Sequence, residues 1–178
     1  MPDKDLESKL VDTIKHIHFE CYKLCKRSFN KYFANAGNIG IFCHSDTEYQ
    51  ILTNIRKNIT EPTDNADQKY FRLYNPIIIP ADNDVPETIY SFLYIRKPDP
   101  TPYGEYLGDI DFYAEDAEFY NIKNYLLEGN YIDGAKIYDR PDLDMIQLYD
   151  EKCDSVAYLS KKSMTETVRV KQSEITKL

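Results

Sequence analysis

Two short stretches decide the fold of this chain: Gly37-Asn38-Ile39-Gly40-Ile41 and Gly108-Asp109-Ile110-Asp111-Phe112. They match at an offset of 71 residues, from Asn38 to Asp109, and each alternates small or polar residues with large apolar ones. Such alternation is typical of a β-strand with one buried face, because successive side chains point to opposite sides of a sheet. An internal duplication is the simplest explanation, and it predicts that the polar positions of both strands face a shared hollow.

Similar elements surround the two stretches. Apolar residues at three- and four-residue spacing predict a long helix over residues 6–33, and the capping-box pattern of Ser45 and Glu48 predicts the start of a second helix. Two strands rich in aromatic and β-branched residues then precede a proline-rich connector at 97–102, after which strand, helix and short strands follow again. We therefore predict an α+β fold in which two pseudo-symmetric βαβββ-type modules form a curved mixed sheet with a cleft.

The predicted boundaries follow from this duplication. We place an N-terminal helical segment at residues 1–35 and a paired-module domain at 36–160, which we divide into module 1 (36–102) and module 2 (103–160). A polar tail occupies 161–178, where we expect fraying.

The composition is that of an ordinary globular domain. The chain has 178 residues, of which 42% are hydrophobic and 29% charged, and its formal charge is −8. An acidic surface repels phosphate backbones, so we expect no nucleic-acid partner. No apolar run approaches the ~18 residues of a membrane span, and the first residues do not resemble a signal peptide. We expect a cytoplasmic protein without a membrane partner, whose four cysteines are reduced.

Polar side chains on the two opening strands define the candidate site. Asn38, Asp109 and Asp111 share the predicted concave face, and we expect the like charges of the two carboxylates to raise one of their pKa values toward the range of a general acid. Solvated carboxylates at the mouth of the cleft are the alternative. Arg96, on the strand before the connector, is positioned either to neutralise these carboxylates or to hold a ligand carboxylate in a bidentate fork.

Several phrases along the chain, taken together, resemble one protein superfamily. They are Ile39-Gly40-Ile41-Phe42-Cys43-His44, Phe71-Arg72-Leu73-Tyr74-Asn75-Pro76-Ile77, Ile95-Arg96-Lys97-Pro98, Asp109-Ile110-Asp111-Phe112 and Arg140-Pro141-Asp142-Leu143-Asp144-Met145-Ile146-Gln147-Leu148. Their order and spacing are similar to those of the vicinal oxygen chelate proteins (glyoxalases, extradiol dioxygenases and bleomycin-resistance proteins), and within these to small YecM-like bacterial proteins. The resemblance covers residues 36–159 and implies a cleft formed by paired βαβββ modules.

The resemblance also bears on metal binding. The superfamily's metal sites use a histidine on the first strand of each module and carboxylates on the final strands. Here those histidine positions hold Asn38 and Asp109, and the closing glutamate position holds Gln147. Neutral amides are poor ligands for transition metals, so the resemblance implies a degraded centre. Asp109 and Asp111, with Asn38 and Gln147, remain candidate ligands for a hard divalent cation such as Mg²⁺ or Ca²⁺.

Two other groups of residues have donor atoms. His44 follows the first strand on the Asn38 side, so we include it as a pocket-lining proton carrier. His18, Cys21 and Cys25 share one helical stripe from which His16 points away, and packing in the core explains them better than a zinc site does.

Three functional hypotheses remain open at this point. The first is the binding of a small ligand or a divalent ion in the cleft by a YecM-like protein, with Asn38, Arg96, Asp109, Asp111, Gln147, His44 and tyrosine hydroxyls as contacts. The second is a metal-dependent isomerase, lyase or dioxygenase with a divergent site. The third is a non-catalytic protein-interaction module, and a homodimer is compatible with all three.

Overall fold

The computed structural model of the chain describes residues 4–140 and 143–165. Within these ranges the elements are α1 (Lys4–Phe29), β1 (Ala34–Phe42), α2 (Asp46–Ile59), β2 (Phe71–Ile79), β3 (Thr88–Arg96), a short 3-10 helix (Pro102–Glu105), β4 (Gly108–Ala114), α3 (Asp116–Leu127), β5 (Ala135–Arg140), β6 (Leu143–Leu148) and β7 (Ser155–Lys161). The tail predicted to fray, 161–178, lies mostly outside the described ranges. Its first residues are regular, since Lys161 ends β7, residues 162–165 are helical and Thr165 is buried.

A single mixed sheet joins the two modules. The order of its seven strands is β2-β3-β1-β4-β7-β6-β5. The opening strands β1 and β4 are antiparallel neighbours at the centre, where Ile39 pairs with Ile110 and Gly40 with Asp109. Each also has a parallel neighbour from its own module, β3 beside β1 and β7 beside β4. The predicted α+β fold with paired modules in a curved mixed sheet is confirmed.

The apolar sides of the opening strands form the core with the helices. Ile39, Ile110 and Phe112 are fully buried. The long helix α1 packs against β4, β6 and β7, while α2 packs on β2 and β3. Because side chains alternate along a strand, the intervening polar residues of β1 and β4 point to the face opposite α1, α2 and α3. No helix among the described residues has both the length and the apolar character needed to cross a membrane.

The helical histidine and cysteine group is part of this core. His18, Cys21 and Cys25 are fully buried, and the Nδ1 atom of His18 lies 2.8 Å from the hydroxyl oxygen of Tyr90. His16 instead lies at the surface, with Nε2 2.9 Å from a carboxylate oxygen of Asp154. The four cysteines are free. The prediction that His18, Cys21 and Cys25 pack in the core is therefore confirmed.

The boundaries differ from prediction mainly around the first turn. The helix α1 ends at Phe29 rather than near residue 33, because Asn30 adopts a left-handed conformation with φ of 52°. The strand β1 begins earlier than expected, and its register with β4 shifts between Asn35 and Ile39. The capping box is confirmed, since the Ser45 side chain accepts a hydrogen bond from the backbone N–H of Glu48 at 3.1 Å.

Candidate functional site

A cavity of about 320 Å³ lies on the sheet face opposite α1, α2 and α3. Both modules contribute to it: β1 and β4 provide the floor, while β3 and β7 lie on either side of them. Its lining consists of Ala36, Asn38, Lys69, Tyr70, Phe92, Tyr94, Arg96, Tyr103, Asp109, Asp111, Tyr138, Met145, Tyr158, Ser160, Met164 and Thr165. The cavity is therefore where the two opening strands place their polar side chains.

One amide and one carboxylate link the two strands across this floor. The Asn38 Nδ2 atom donates a hydrogen bond of 2.6 Å to Asp111 Oδ2. The Oδ1 atom of the same amide is buried and has no hydrogen-bond partner among the described residues. Asn38 therefore orients the Asp111 carboxylate and leaves one acceptor unused inside the protein.

The second carboxylate, that of Asp109, lies over a glycine of the neighbouring strand. A Cβ atom on Gly40 would lie 2.1 Å from Asp109 Oδ1, so any larger residue at position 40 would displace the carboxylate. Its other oxygen, Oδ2, accepts a hydrogen bond of 3.1 Å from the Tyr103 hydroxyl. Asp109 is only 6% exposed. Gly40 in the first of the two matching stretches thus makes room for Asp109 in the second.

Burial dominates the electrostatics of these carboxylates. Desolvation, and then the charge of Asp111, raises the pKa of Asp109 to about 8. Desolvation also raises the pKa of Asp111 to about 6, although hydrogen bonds from Asn38 and Tyr70 act to lower it. Ionising both groups together is costly, because like charges repel strongly where water is excluded. A positively charged partner would relieve that cost.

Arg96 lines the cavity, but its guanidinium already has a carboxylate partner. It forms an ion pair with Asp99 in the proline-rich connector. Its Cζ atom also lies 4.0 Å from the centroid of the Tyr103 ring and 5.0 Å from that of Phe42. The positive charge still lowers the pKa of Asp109, against the larger effect of burial. Arg96 therefore holds the connector against the wall of the cavity.

Aromatic rings form much of the wall. On one side the Tyr103 and Tyr158 rings are 6.1 Å apart, and the Tyr138 ring follows 5.0 Å from that of Tyr158. On the other side the Tyr70 and Tyr94 rings lie 5.4 Å apart. The carboxylates of the floor are thus placed between two groups of tyrosines.

Two residues predicted as ligand contacts lie outside the described lining of the cavity. Gln147 is buried on β6, where it pairs with Tyr158, and Tyr158 itself pairs with Asp111. Tyr158 thus lies between Gln147 and Asp111 in the sheet and separates Gln147 from the floor of the cavity. His44 lies beyond the end of β1, and its Nε2 atom is 3.2 Å from the Glu105 carbonyl oxygen. The strand ends at Phe42, so its alternation no longer determines where His44 points.

The carboxylate pair does not by itself complete a metal site. Among the described residues, no group of three or more histidine, cysteine, aspartate or glutamate side chains converges on one point. A hard cation held by Asp109 and Asp111 would need its remaining ligands from neutral oxygens such as Asn38 Oδ1, or from water. Metal binding by these two residues stays a prediction.

The sequence carries less information about the walls of the cavity than about its floor. Tyr103 and Tyr158 belong to a chain with 16 tyrosines, and no motif distinguishes these two. The signal for Tyr158 is its pairing with Asp111, which becomes visible only when β7 is known to lie beside β4.

Comparisons with known proteins agree with the fold and do not assign a function. No family model matches the chain, and no curated protein matches it significantly. The chain is similar to a solved structure named "Structural Genomics, Protein EC4020", with a TM-score of 0.54 and 16% sequence identity. The match covers 94% of this chain and 93% of that one. At this level of identity the similarity concerns the fold, and it extends over nearly the whole length of both chains.

Proposed function

We propose that this protein binds a small ligand in the concave cavity between its two modules. One observation carries the proposal. Matching strands from the two halves of the chain place Asn38, Asp109 and Asp111 on the floor of one cavity with largely aromatic walls. Polar groups that converge in a largely aromatic pocket are the usual features of a small-molecule site. The volume of about 320 Å³ lies at the small end of the range for such pockets.

We further infer that the chain is a divergent relative of the vicinal oxygen chelate proteins and of YecM-like proteins. The support is the pairing of two modules through β1 and β4, together with the full-length similarity to one solved structure. The positions corresponding to the superfamily's histidines hold Asn38 and Asp109, so the inherited metal chemistry is not part of the proposal.

Filling the cavity tests this function. Met145 is half-buried on β6 and lines the cavity, so we expect the Met145→Trp variant to occupy the space with its indole ring. Ligand-observed NMR with a mixture of amine, neutral and acidic fragments should detect binding to the native protein and at least about 10-fold weaker binding to this variant.

The matched control is Met145→Leu, which changes the same position with little change in volume and should keep the binding. Circular dichroism and thermal unfolding would verify that both variants are folded. The proposal is wrong if no fragment binds the native protein, or if fragments bind the tryptophan variant as well as they bind the leucine variant.

A further inference from the structure

Two buried oxygen atoms at the cavity lack hydrogen-bond partners within the described part of the chain. One is the hydroxyl oxygen of Tyr158, a residue that lines the cavity and is 3% exposed. The other is Asn38 Oδ1, which is an acceptor because its amide nitrogen donates to Asp111. A buried polar atom without a partner costs free energy, so both sites favour a ligand that brings hydrogen-bonding groups.

The floor of the cavity offers mainly acceptors. A cation bound at the floor favours the ionised forms of Asp109 and Asp111, whose four carboxylate oxygens then accept hydrogen bonds. Asp109 accepts a hydrogen bond from Tyr103, and Asp111 accepts hydrogen bonds from Asn38 and Tyr70. Together with Asn38 Oδ1, these oxygens give the floor more acceptors than donors. A ligand with several N–H donors would match them.

The charges at the cavity favour a cation over an anion. The guanidinium of Arg96 is paired with Asp99, so the positive charge nearest the floor is already largely compensated. Lys69 is exposed and lies on the lining outside the strands. Neither Asp109 nor Asp111 has such a partner among the ion pairs of the described residues.

The aromatic walls suit an organic cation. Tyrosine faces attract ammonium and guanidinium groups through their ring quadrupoles, and the attraction increases where water is excluded. Tyr94 and Tyr158 belong to the strands on either side of the central pair, so their side chains flank the carboxylates. A hydrated metal ion would gain little from these rings, because its ligands are oxygen atoms.

From these observations we propose that the ligand of this cavity is a small organic cation, a primary amine or an amidine, whose N–H groups bind Asp109, Asp111 and Asn38 Oδ1 between the tyrosine rings. This inference rests on the proposed ligand-binding function and specifies the class of ligand. The Tyr158 hydroxyl completes the set by accepting one further N–H, and the apolar part of the ligand packs against the aromatic wall.

A matched series of probes tests the class of ligand. Phenethylammonium, phenethyl alcohol and hydrocinnamate have similar size and differ in charge, and Mg²⁺, Ca²⁺ and Zn²⁺ alone serve as metal probes. Isothermal titration calorimetry on the full-length protein should give at least about 10-fold tighter binding for the amine than for the alcohol, because charge-assisted hydrogen bonds are about twice as strong as neutral ones.

Three variants identify the groups responsible. We expect Asp111→Asn to weaken amine binding at least about 10-fold and Tyr158→Phe to weaken it about 3-fold, which corresponds to one neutral hydrogen bond. Asp12→Asn is the matched control, since Asp12 lies on α1 with 72% of its side chain exposed and the substitution changes the net charge equally. It should leave the affinity unchanged.

The outcomes separate this inference from the proposed function. If the alcohol or the acid binds better than the amine and Met145→Trp abolishes that binding, the organic cation is wrong while the ligand-binding function stands. If a metal ion binds at Asp111 and the amine does not compete with it, the inference is overturned in favour of a metal site. If no probe or fragment binds, both proposals fail.

Discussion

Asparagine in place of Asp109 is expected to stabilise the protein at alkaline pH, by an amount that falls away as the solution becomes acidic. Asp109 is 6% exposed, and burial together with the neighbouring Asp111 raises its pKa from 3.8 to about 8. The native protein must therefore hold an unfavourable buried charge above that pH. An asparagine amide has nearly the same shape as the protonated carboxyl group and never ionises.

The sign of the pH dependence follows from proton binding. Between pH 4 and pH 8 the folded protein retains a proton on Asp109 that the unfolded chain has released, since the folded pKa is the higher one. The stability conferred by this proton is complete below the unfolded pKa and is lost as the pH rises through about 8. The Asp109→Asn variant should escape that loss, so its advantage over the native protein grows with pH.

Urea unfolding at pH 5 and at pH 9 measures the effect. We expect the difference in free energy of unfolding between variant and native protein to increase by about 2–4 kcal/mol over this interval. The exposed Asp12→Asn variant should show almost no change. A difference that is equal at both pH values, or that favours the native protein at pH 9, would show that Asp109 is not held in a buried, like-charged environment.

The second large effect is expected from Gly108→Ala. A Cβ atom at Gly108 would lie 2.1 Å from the backbone carbonyl oxygen of Gly40 and 2.6 Å from Ile17 Cδ1. The first contact is with the backbone of the central strand pair, and the second is with a fully buried side chain of α1. Neither can move without disturbing the sheet or the helix. We expect a loss of about 3 kcal/mol or more in the free energy of unfolding.

Gly129→Ala is the control variant against which the loss of stability in Gly108→Ala is compared. Gly129 has φ of +86° and nothing within 4 Å of the position of its added Cβ, so its substitution introduces backbone strain without a steric clash. That strain should cost about 1–2 kcal/mol. If thermal and urea unfolding show that Gly108→Ala costs no more than Gly129→Ala, then β1 and β4 do not approach as closely as described.

The floor of the cavity could be predicted from the sequence because two patterns agree, the alternation along each strand and the repeat of the stretch. Residues that alternate along a strand must face opposite sides, and a repeated stretch of this kind implies equivalent strands. This pattern therefore predicts that Asn38, Asp109 and Asp111 lie together, without knowledge of the sheet order. The structure adds that they lie across one antiparallel pair and that Gly40 accommodates the Asp109 carboxylate.

The walls could not be predicted in the same way, because they depend on contacts between distant segments. Tyr158 reaches the cavity since β7 pairs with β4 in parallel, and the strand order is not encoded in the pattern of any one strand. Family resemblance predicts Gln147 at the site, whereas Tyr158 lies between it and Asp111 in the sheet. The prediction for His44 extends the alternation beyond Phe42, where its strand ends.

The central claim is that the two duplicated stretches share one cavity that holds a positively charged ligand. A crystal structure of the protein with bound phenethylammonium tests it most directly. We expect electron density for the amine in the cavity, with its nitrogen within hydrogen-bonding distance of Asp111 and Asn38 and its ring against Tyr158. Density for the amine only at another surface, or a cavity in which Asn38 and Asp109 project away from each other, would contradict the claim.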